Sequence, residues 1–269
     1  MLIVYKDGSE FNLEYNKDKH SYVIDGDKIP SVTKVIDSCF PKYLVDWAVQ
    51  ESASFFLQSV EPYRRVEPAT FMVPFSVIEH IHEGILTASK TISEHAADIG
   101  SVVHNWISQG IKYKMGNTEL PDMPSDEEAI NCVEAFKDWT KDKEINWIST
   151  EQKIYHHGKE AIHRFAGTVD AVAEINGREY VIDFKTSKKI YKPYHLQVAA
   201  YAKAIGKMYE TKPWGLILRL DKETGKFQEK VFDPEPHYNA FNWCLYLRKW
   251  SSVRIKSEFS PEIQGPDKR

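Results

Sequence analysis

A chain of 269 residues, 42% hydrophobic and 28% charged, has the composition of a soluble globular protein, long enough for one large domain or two small ones. Its formal net charge of −4 argues against a wholesale nucleic-acid binder, and no apolar run approaches the ~20 residues that span a bilayer. The three cysteines, Cys39, Cys132 and Cys244, are too few and too scattered for a disulfide framework or a Cys-ligated zinc or iron–sulfur site, which points to a reducing compartment.

The opening "MLIVYKDGSE" carries neither the basic and apolar regions of a secretory signal nor the Arg-rich character of a mitochondrial presequence, so a cytoplasmic location is expected. "FNLEYNKDKHSYVIDGDKIPS" predicts two short strands, the second ending at an Asp25-Gly26 turn. "PSVTKVIDSCF" predicts a helix with Ser31 as its N-cap. Ser31 and Thr33 are most simply that helix start, although the same hydroxyls and N–H groups could hold a phosphate. Helical patterns continue over 44–57, 75–90 and 93–113, and Ser125 with Glu128 forms a capping box ahead of another helix.

From Ile145 the pattern turns to strands: "INWISTEQKIYHH", "FAGTVDAVAEI" and "REYVIDFKTS". A helix over "PYHLQVAAYAKAIG" follows, with Pro193 in its first turn and Gly206 at its end. The hairpin "WGLILRLDKETGKFQEKVF" and a closing helix around "YNAFNWCLYLRKW" complete the chain, and the aromatics of that helix are expected to face the core. No internal repeat or low-complexity linker is present. The economical picture is an α/β domain behind a mostly helical N-terminal part. Two basic stretches stand out in this acidic chain. Five lysines, Lys188 among them, lie between 185 and 203 with no acid, and "KIYHHGKEAIHRF" has one. They could line a positive groove, though on charge alone a solvated face is the simpler reading.

The strand "EYVIDFKTS" places Val181, Asp183 and Lys185 on one face and Ile182 and Phe184 on the other. Asn176-Gly177 is the strongest short-range hairpin signal, and a two-residue loop there sets Asp170 directly across the ladder from Asp183. Cβ atoms roughly 5 Å apart put two like charges in conflict unless a cation sits between them. Metal–oxygen bonds of about 2.1 Å on each side suit a magnesium-sized ion. Lys185 lies roughly 6.6 Å further along the strand, able to enter the site without collapsing onto Asp183. The competing reading is a plain Asp–Lys pair at a strand end. Gln197 and Tyr201, four apart on the next helix, share a face and could hold a phosphate or base.

With these pieces in order, the chain resembles the RecB-type exonuclease branch of the PD-(D/E)xK nuclease superfamily. "GTVD" at 167–170 is similar to its G-x-x-D motif, "DFK" at 183–185 to D/E-x-K, and "QVAAY" at 197–201 to Q-x-x-x-Y. "GSVVH" at 100–104 resembles the upstream helix-borne histidine motif, and "STEQKI" puts Glu151 where the family often has an acid. "PSVTKVI" resembles the N-terminal segment of mitochondrial genome-maintenance exonucleases and their phage relatives. The namesake proline is Val169 here, as is common in this branch.

The resemblance implies a restriction-endonuclease-like α/β fold, a mixed central sheet flanked by helices. The core and C-terminal helix would fill 100–269. Residues 1–99 would form a mostly helical part with a short β-hairpin that could arch over the site. It implies metal-dependent hydrolysis of DNA, as an exonuclease acting on single strands or ends and leaving 5′-phosphates. Asp170 and Asp183 would bind one or two Mg²⁺ or Mn²⁺ ions, helped by the Phe184 carbonyl, with His104 and Glu151 completing the shell. Lys185 would orient the attacking water, and Gln197, Tyr201, Ser31, Thr33 and Lys188 would contact DNA. No iron–sulfur cluster and no membrane partner are expected, and a bacterial or phage-infected cell is the expected setting. The alternatives are an endonuclease or DNA-end processor of the same family, or a nucleic-acid-binding module that has lost catalysis.

Overall fold

In the computed structural model, the described residues are 1–16, 19, 21–40, 45–65 and 70–252. Four short strands open the chain: β1 (Leu2–Val4), β2 (Glu10–Asn16), β3 (Ser21–Ile24) and β4 (Asp27–Ile29). They form an antiparallel sheet in chain order where the sequence predicts only the middle pair. Strands of three residues are too short for periodicity to register, so β1 and β4 escape that reading. The Asp25-Gly26 turn is present, both residues having positive φ (+49° and +88°).

Helix α1 (Val32–Cys39) begins at Ser31, whose Oγ accepts from the Lys34 N–H at 3.2 Å. Helix α2 (Val45–Val60) follows, Leu44 lying outside the described residues. After the small pair β5 (Arg64–Arg65) and β6 (Thr70–Phe71) comes α3 (Phe75–Lys114), one helix of 40 residues where two are predicted. No proline or glycine separates Lys90 from Ser93, so nothing in the backbone interrupts the hydrogen-bond ladder there. Helix α4 (Glu127–Thr140) is capped by Asp126, whose carboxylate accepts from the Glu128 and Ala129 N–H groups. Ser125, the predicted cap, stands one residue too early. A carboxylate at this terminus also complements the helix dipole.

The main sheet has five strands in the order β11-β10-β9-β8-β7: β7 (Ile145–His156), β8 (Phe165–Ile175), β9 (Arg178–Lys185), β10 (Trp214–Leu220) and β11 (Phe227–Phe232). Only β9 and β10 are parallel; α5 (Lys192–Tyr209) makes the crossover between them, as parallel strands require. α5 passes its predicted end at Gly206 and stops at Glu210, in the left-handed conformation (φ +57°). Asn176 and Gly177 take φ of +51° and +75°, and the register runs from Ile175↔Arg178 to Ala171↔Ile182 as that turn dictates. Helix α6 (Glu235–Ser252) closes the described chain.

Two cores flank the sheet. On one face, Val172, Val181 and Ile217 meet α1, α5, α6 and the N-terminal sheet; on the other, Ala171, Ile182, Phe184 and Leu218 meet α4 and the C-terminal half of α3. The result is a restriction-endonuclease-like mixed sheet between helical layers. In α6 the expectation of a core-facing aromatic helix holds for Tyr238 and Phe241 but not for Trp243, Tyr246 and Trp250, which are exposed. The face that meets α1 and α5 is filled by Phe241, Cys244 and Leu245, leaving the indoles outside.

His156, at the end of β7, is buried between Phe165 and Tyr238, and its Nε2 lies 3.3 Å from the Tyr238 hydroxyl. Burial, and then repulsion from the neighbouring Lys207, His157, Lys203 and His163, pushes its pKa down to about 3. Between that value and ~6.5 the unfolded chain binds the proton and the folded chain does not, so stability falls as pH drops through this window. The expected loss at pH 5 is about 2 kcal/mol from this residue. Urea unfolding at pH 7 and pH 5 should show a smaller drop in His156→Gln than in wild type by about that amount.

Candidate active site

The site lies where β8 and β9 part. Asp170 and Asp183 occupy the next register position after Ala171↔Ile182, yet the paired ladder ends before them. The Phe184 N–H donates to the Asp170 side chain (Oδ2, 2.9 Å). Each carboxylate thereby gains its own environment. Asp183 is fully buried on the α5 face of β9, and Lys185, two residues on, turns back to it. The ammonium lies 2.8 Å from Asp183 Oδ2 but donates to Oδ1 (3.0 Å), leaving Oδ2 without an aligned hydrogen bond. The expectation that Lys185 stands clear of Asp183 is therefore corrected. With its neighbour's charge buried and no bulk water between them, the flexible lysine stem closes the gap.

Lys185 also donates to Gln197 Oε1 (3.3 Å), and Gln197 Nε2 donates to the Tyr201 hydroxyl (3.3 Å). Gln197 and Tyr201 thus share a face of α5 and reach the site through Lys185. Tyr194, whose ring lies 4.8 Å from the ammonium, is a further member that the motifs do not mark. Its spacing of three from Gln197 is the signal that places it on the same helical face.

From the other side, His104 on α3 brings Nδ1 to 3.5 Å from Asp170 Oδ2, its ring edge-on to Phe184. β7 contributes Glu151 from a position opposite Asp170, between the pairs Thr150↔Ala171 and Gln152↔Val169. Glu151 has φ +51°, an uncommon backbone for glutamate and a sign of imposed strain. Its neighbours hold it there: Thr150 Oγ1 donates to the Asp170 carbonyl (2.8 Å), and Ser149 Oγ to Gln152 Oε1 (2.5 Å). A bulge between Trp147 and Ser149 precedes it.

One ligand atom from each of His104, Glu151 and Asp170 lies within 4.8 Å of the others. An imidazole nitrogen and two carboxylates at this spacing fit a divalent cation that favours oxygen ligands. Asp183 is not among those three and is engaged by Lys185. The Phe184 ring is buried in the second core, and its N–H is used by Asp170.

The electrostatics separate the two aspartates. For Asp170, burial opposes ionisation, but His104, Lys185 and the Phe184 N–H outweigh it and hold the pKa below the usual carboxylate range. For Asp183, burial and the charge of Asp170 outweigh Lys185, and the pKa is pushed up to about 6. Burial and Asp170 raise Glu151 as well. His104 is raised in turn: burial favours its neutral form, and the Asp170 charge more than offsets that. An uncompensated negative field of this kind is what a cation would relieve.

The remaining expected contacts are more dispersed. Ser31 is buried, caps α1 and bridges to Ala166 at the head of β8, with Thr33 Oγ1 3.2 Å from its Oγ. Thr33 is exposed, and Lys188 is exposed on the loop between β9 and α5. Gly167 has a steric reason: a Cβ there would lie 2.6 Å from the ring of the buried Tyr201, so this glycine lets α5 seat its tyrosine against β8. At Gly100, the nearest atom to such a Cβ is Thr186 Oγ1 at 3.5 Å, an ordinary contact.

A family model described as the PD-(D/E)XK nuclease superfamily matches residues 78–262, an interval that contains His104, Glu151, Asp170, Asp183, Lys185, Gln197 and Tyr201 but not Ser31 or Thr33. Among solved structures, that of SSO0001 is similar at 14% identity, covering 55% of this chain and 74% of that one with a TM-score of 0.28. No curated protein matches the chain.

Two expectations follow from the geometry. Gly167→Ala should destabilise by about 1–3 kcal/mol because the buried Tyr201 ring must move, while Gly100→Ala, inside α3, should stabilise by up to about 1 kcal/mol. Urea unfolding of the two variants separates them; equal effects would contradict the packing described. Mn²⁺ at a hundred times its Kd should stabilise the protein by about 2.7 kcal/mol. Asp170→Asn should abolish that shift in thermal melting, and a wild-type melt indifferent to millimolar Mn²⁺ would exclude the site.

Proposed function

The chain belongs to the PD-(D/E)XK nuclease superfamily, and on that premise we propose that it is a metal-dependent DNA exonuclease of the RecB-like type. It acts on single-stranded DNA or DNA ends and leaves 5′-phosphates. The observation that carries this reading is the convergence of His104 from α3, Glu151 from β7 and Asp170 from the G-x-x-D strand β8, next to the Asp183–Lys185 pair of the D-x-K strand β9.

In this reading His104, Glu151 and Asp170 hold Mg²⁺ or Mn²⁺, with Asp183 and the Phe184 carbonyl completing the set for one or two ions. A divalent ion bound there supplies Lewis-acid polarisation of the phosphate and a more acidic water. The chain's own residues do the rest. Lys185, held at its Nζ between Asp183 and Gln197, orients the attacking water and offsets charge developing on the phosphate. Gln197 and Tyr201 position the scissile strand, and Ser31, Thr33 and Lys188 contact the strand further out. Helix α2 and the N-terminal half of α3 serve as the arch that admits a threaded end, which favours exonuclease over endonuclease action.

The test uses linear single-stranded oligonucleotides labelled at the 5′ or 3′ end and a circular single strand, with Mg²⁺, Mn²⁺ or EDTA. The expected result is metal-dependent shortening of the linear strands, weakened about 10²–10³-fold in Lys185→Ala, with the circle spared. Cutting of the circle would make the protein an endonuclease. A wild type that binds every substrate and cleaves none in either metal would replace the enzyme with a binding module.

A further inference from the structure

Away from the metal-ligand cluster, α5, α6 and the connection at 157–163 enclose an open groove of about 1010 Å³. It begins where β7 ends, at His156, roughly 16 Å along that strand from Glu151. Lys159, Lys203, Lys207 and Lys212 line it. Three acids line it too, but two are engaged at the head of α6. Asp233 accepts from the Glu235 N–H, and Glu235 pairs with Lys203 at 3.5 Å. Four lysines thus face three acids, which leaves the lining positive by one charge.

Two polar side-chain atoms of the lining have no protein partner. His156 is more than nine-tenths buried and lines the groove with its Nδ1 unpartnered, and Asn242 Oδ1 beside it is unpartnered as well. After burial itself, the neighbouring Lys207, His157, Lys203 and His163 also disfavour a proton on His156.

Along α6 the groove runs on into an exposed aromatic strip. His163, part of the lining, has its Nε2 2.9 Å from the Tyr246 hydroxyl, and Tyr246 packs 5.9 Å from Trp243, centroid to centroid. Trp250 lies seven residues on, on the same face, and both indoles are 69% exposed. Indoles left this open, continuous with a lysine-lined groove, form the pairing of features by which proteins hold single-stranded nucleic acid without reading its sequence: bases stack on rings while phosphates follow the lysines. A duplex has its base faces occupied and cannot use the indoles in this way.

We propose that the α5–α6 groove and the Trp243–Tyr246–Trp250 strip form a second binding surface for single-stranded nucleic acid, separate from the catalytic centre, that grips the strand a few nucleotides from where it is cut. The identity of the polymer rests on the nuclease reading. The surface adds affinity and sets the length of strand that must be engaged.

The test is fluorescence anisotropy of a labelled oligo(dT) in EDTA, where nothing is hydrolysed, across a salt series. The variants are Trp243→Ala/Trp250→Ala and Lys159→Ala/Lys207→Ala, with thermal melts to confirm that each folds. The aromatic double variant should bind at least about tenfold more weakly with an unchanged salt slope. The lysine double variant should bind more weakly and lose about 1.4 from the slope of log K against log salt, the value for two phosphate contacts on a single strand. Affinity and slope unchanged in both variants would overturn the proposal. So would sedimentation in which wild type self-associates and the aromatic variant does not, since the strip would then be a protein interface. The two readings fail separately. A wild type that binds through these residues but cleaves nothing in Mg²⁺ or Mn²⁺ keeps the surface and loses the nuclease. Metal-dependent cleavage with both variants binding as wild type keeps the nuclease and loses the surface.

Discussion

Two carboxylates facing each other at one end of a β-ladder, Asp183 fully buried and Asp170 partly so, set the terms for everything around them. A buried charge is tolerated only when another charge or a set of hydrogen bonds answers it. Asp183 is answered by Lys185 from its own strand, and Asp170 by the Phe184 N–H and by His104 from across the sheet. The second arrangement ends the ladder, because a backbone donor that serves a side chain is not available to the next strand. The strands part there, and the gap becomes the place where groups from β7, α3 and α5 meet. The tight seat of Tyr201 against Gly167 and the left-handed Glu151 are consequences of closing three elements around that gap.

The two aspartates are chemically identical in sequence and different in place. Asp170 faces a histidine that its own charge helps to protonate, whereas Asp183 is fully buried with Lys185 as the cation in contact. Unequal environments of this kind let one carboxylate stay ionised while the other holds its proton more readily. A site that gathers His104, Glu151 and Asp170 carries an excess of negative potential. Its most economical remedy is a bound cation.

Much of this is legible in the amino-acid sequence. The Asn176-Gly177 turn fixes the β8–β9 register residue by residue, because a two-residue loop leaves no slack, and alternation then assigns Asp183 and Lys185 to the α5 face. The spacing of Gln197 and Tyr201 fixes their shared face in the same way. Other features depend on tertiary forces that no local pattern carries. Glutamate has no preference for the left-handed region, so nothing about Glu151 announces its backbone. Asp126 and Ser125 are both good caps, and which one is used turns on where the α4 helix docks. The exposure of Trp243 and Trp250 follows from which face of α6 meets α1 and α5, and hydrophobicity alone points the other way. Lysine reach also exceeds what strand geometry implies, which is why Lys185 meets Asp183.

The unbroken course of α3 has a mechanical consequence. Its C-terminal half is wedged between α4 and the sheet, with Val103 and Ile107 fully buried on either side of His104. Its other half packs against α2, where Ser52 Oγ donates to the Ile85 carbonyl (3.0 Å), and Phe75 lies roughly 37 Å from Gly100 along the helix. A load on the far end would be passed along the helix toward the turn that bears His104. The imidazole that faces Asp170 thus sits on the same continuous helix as the segment that packs against α2.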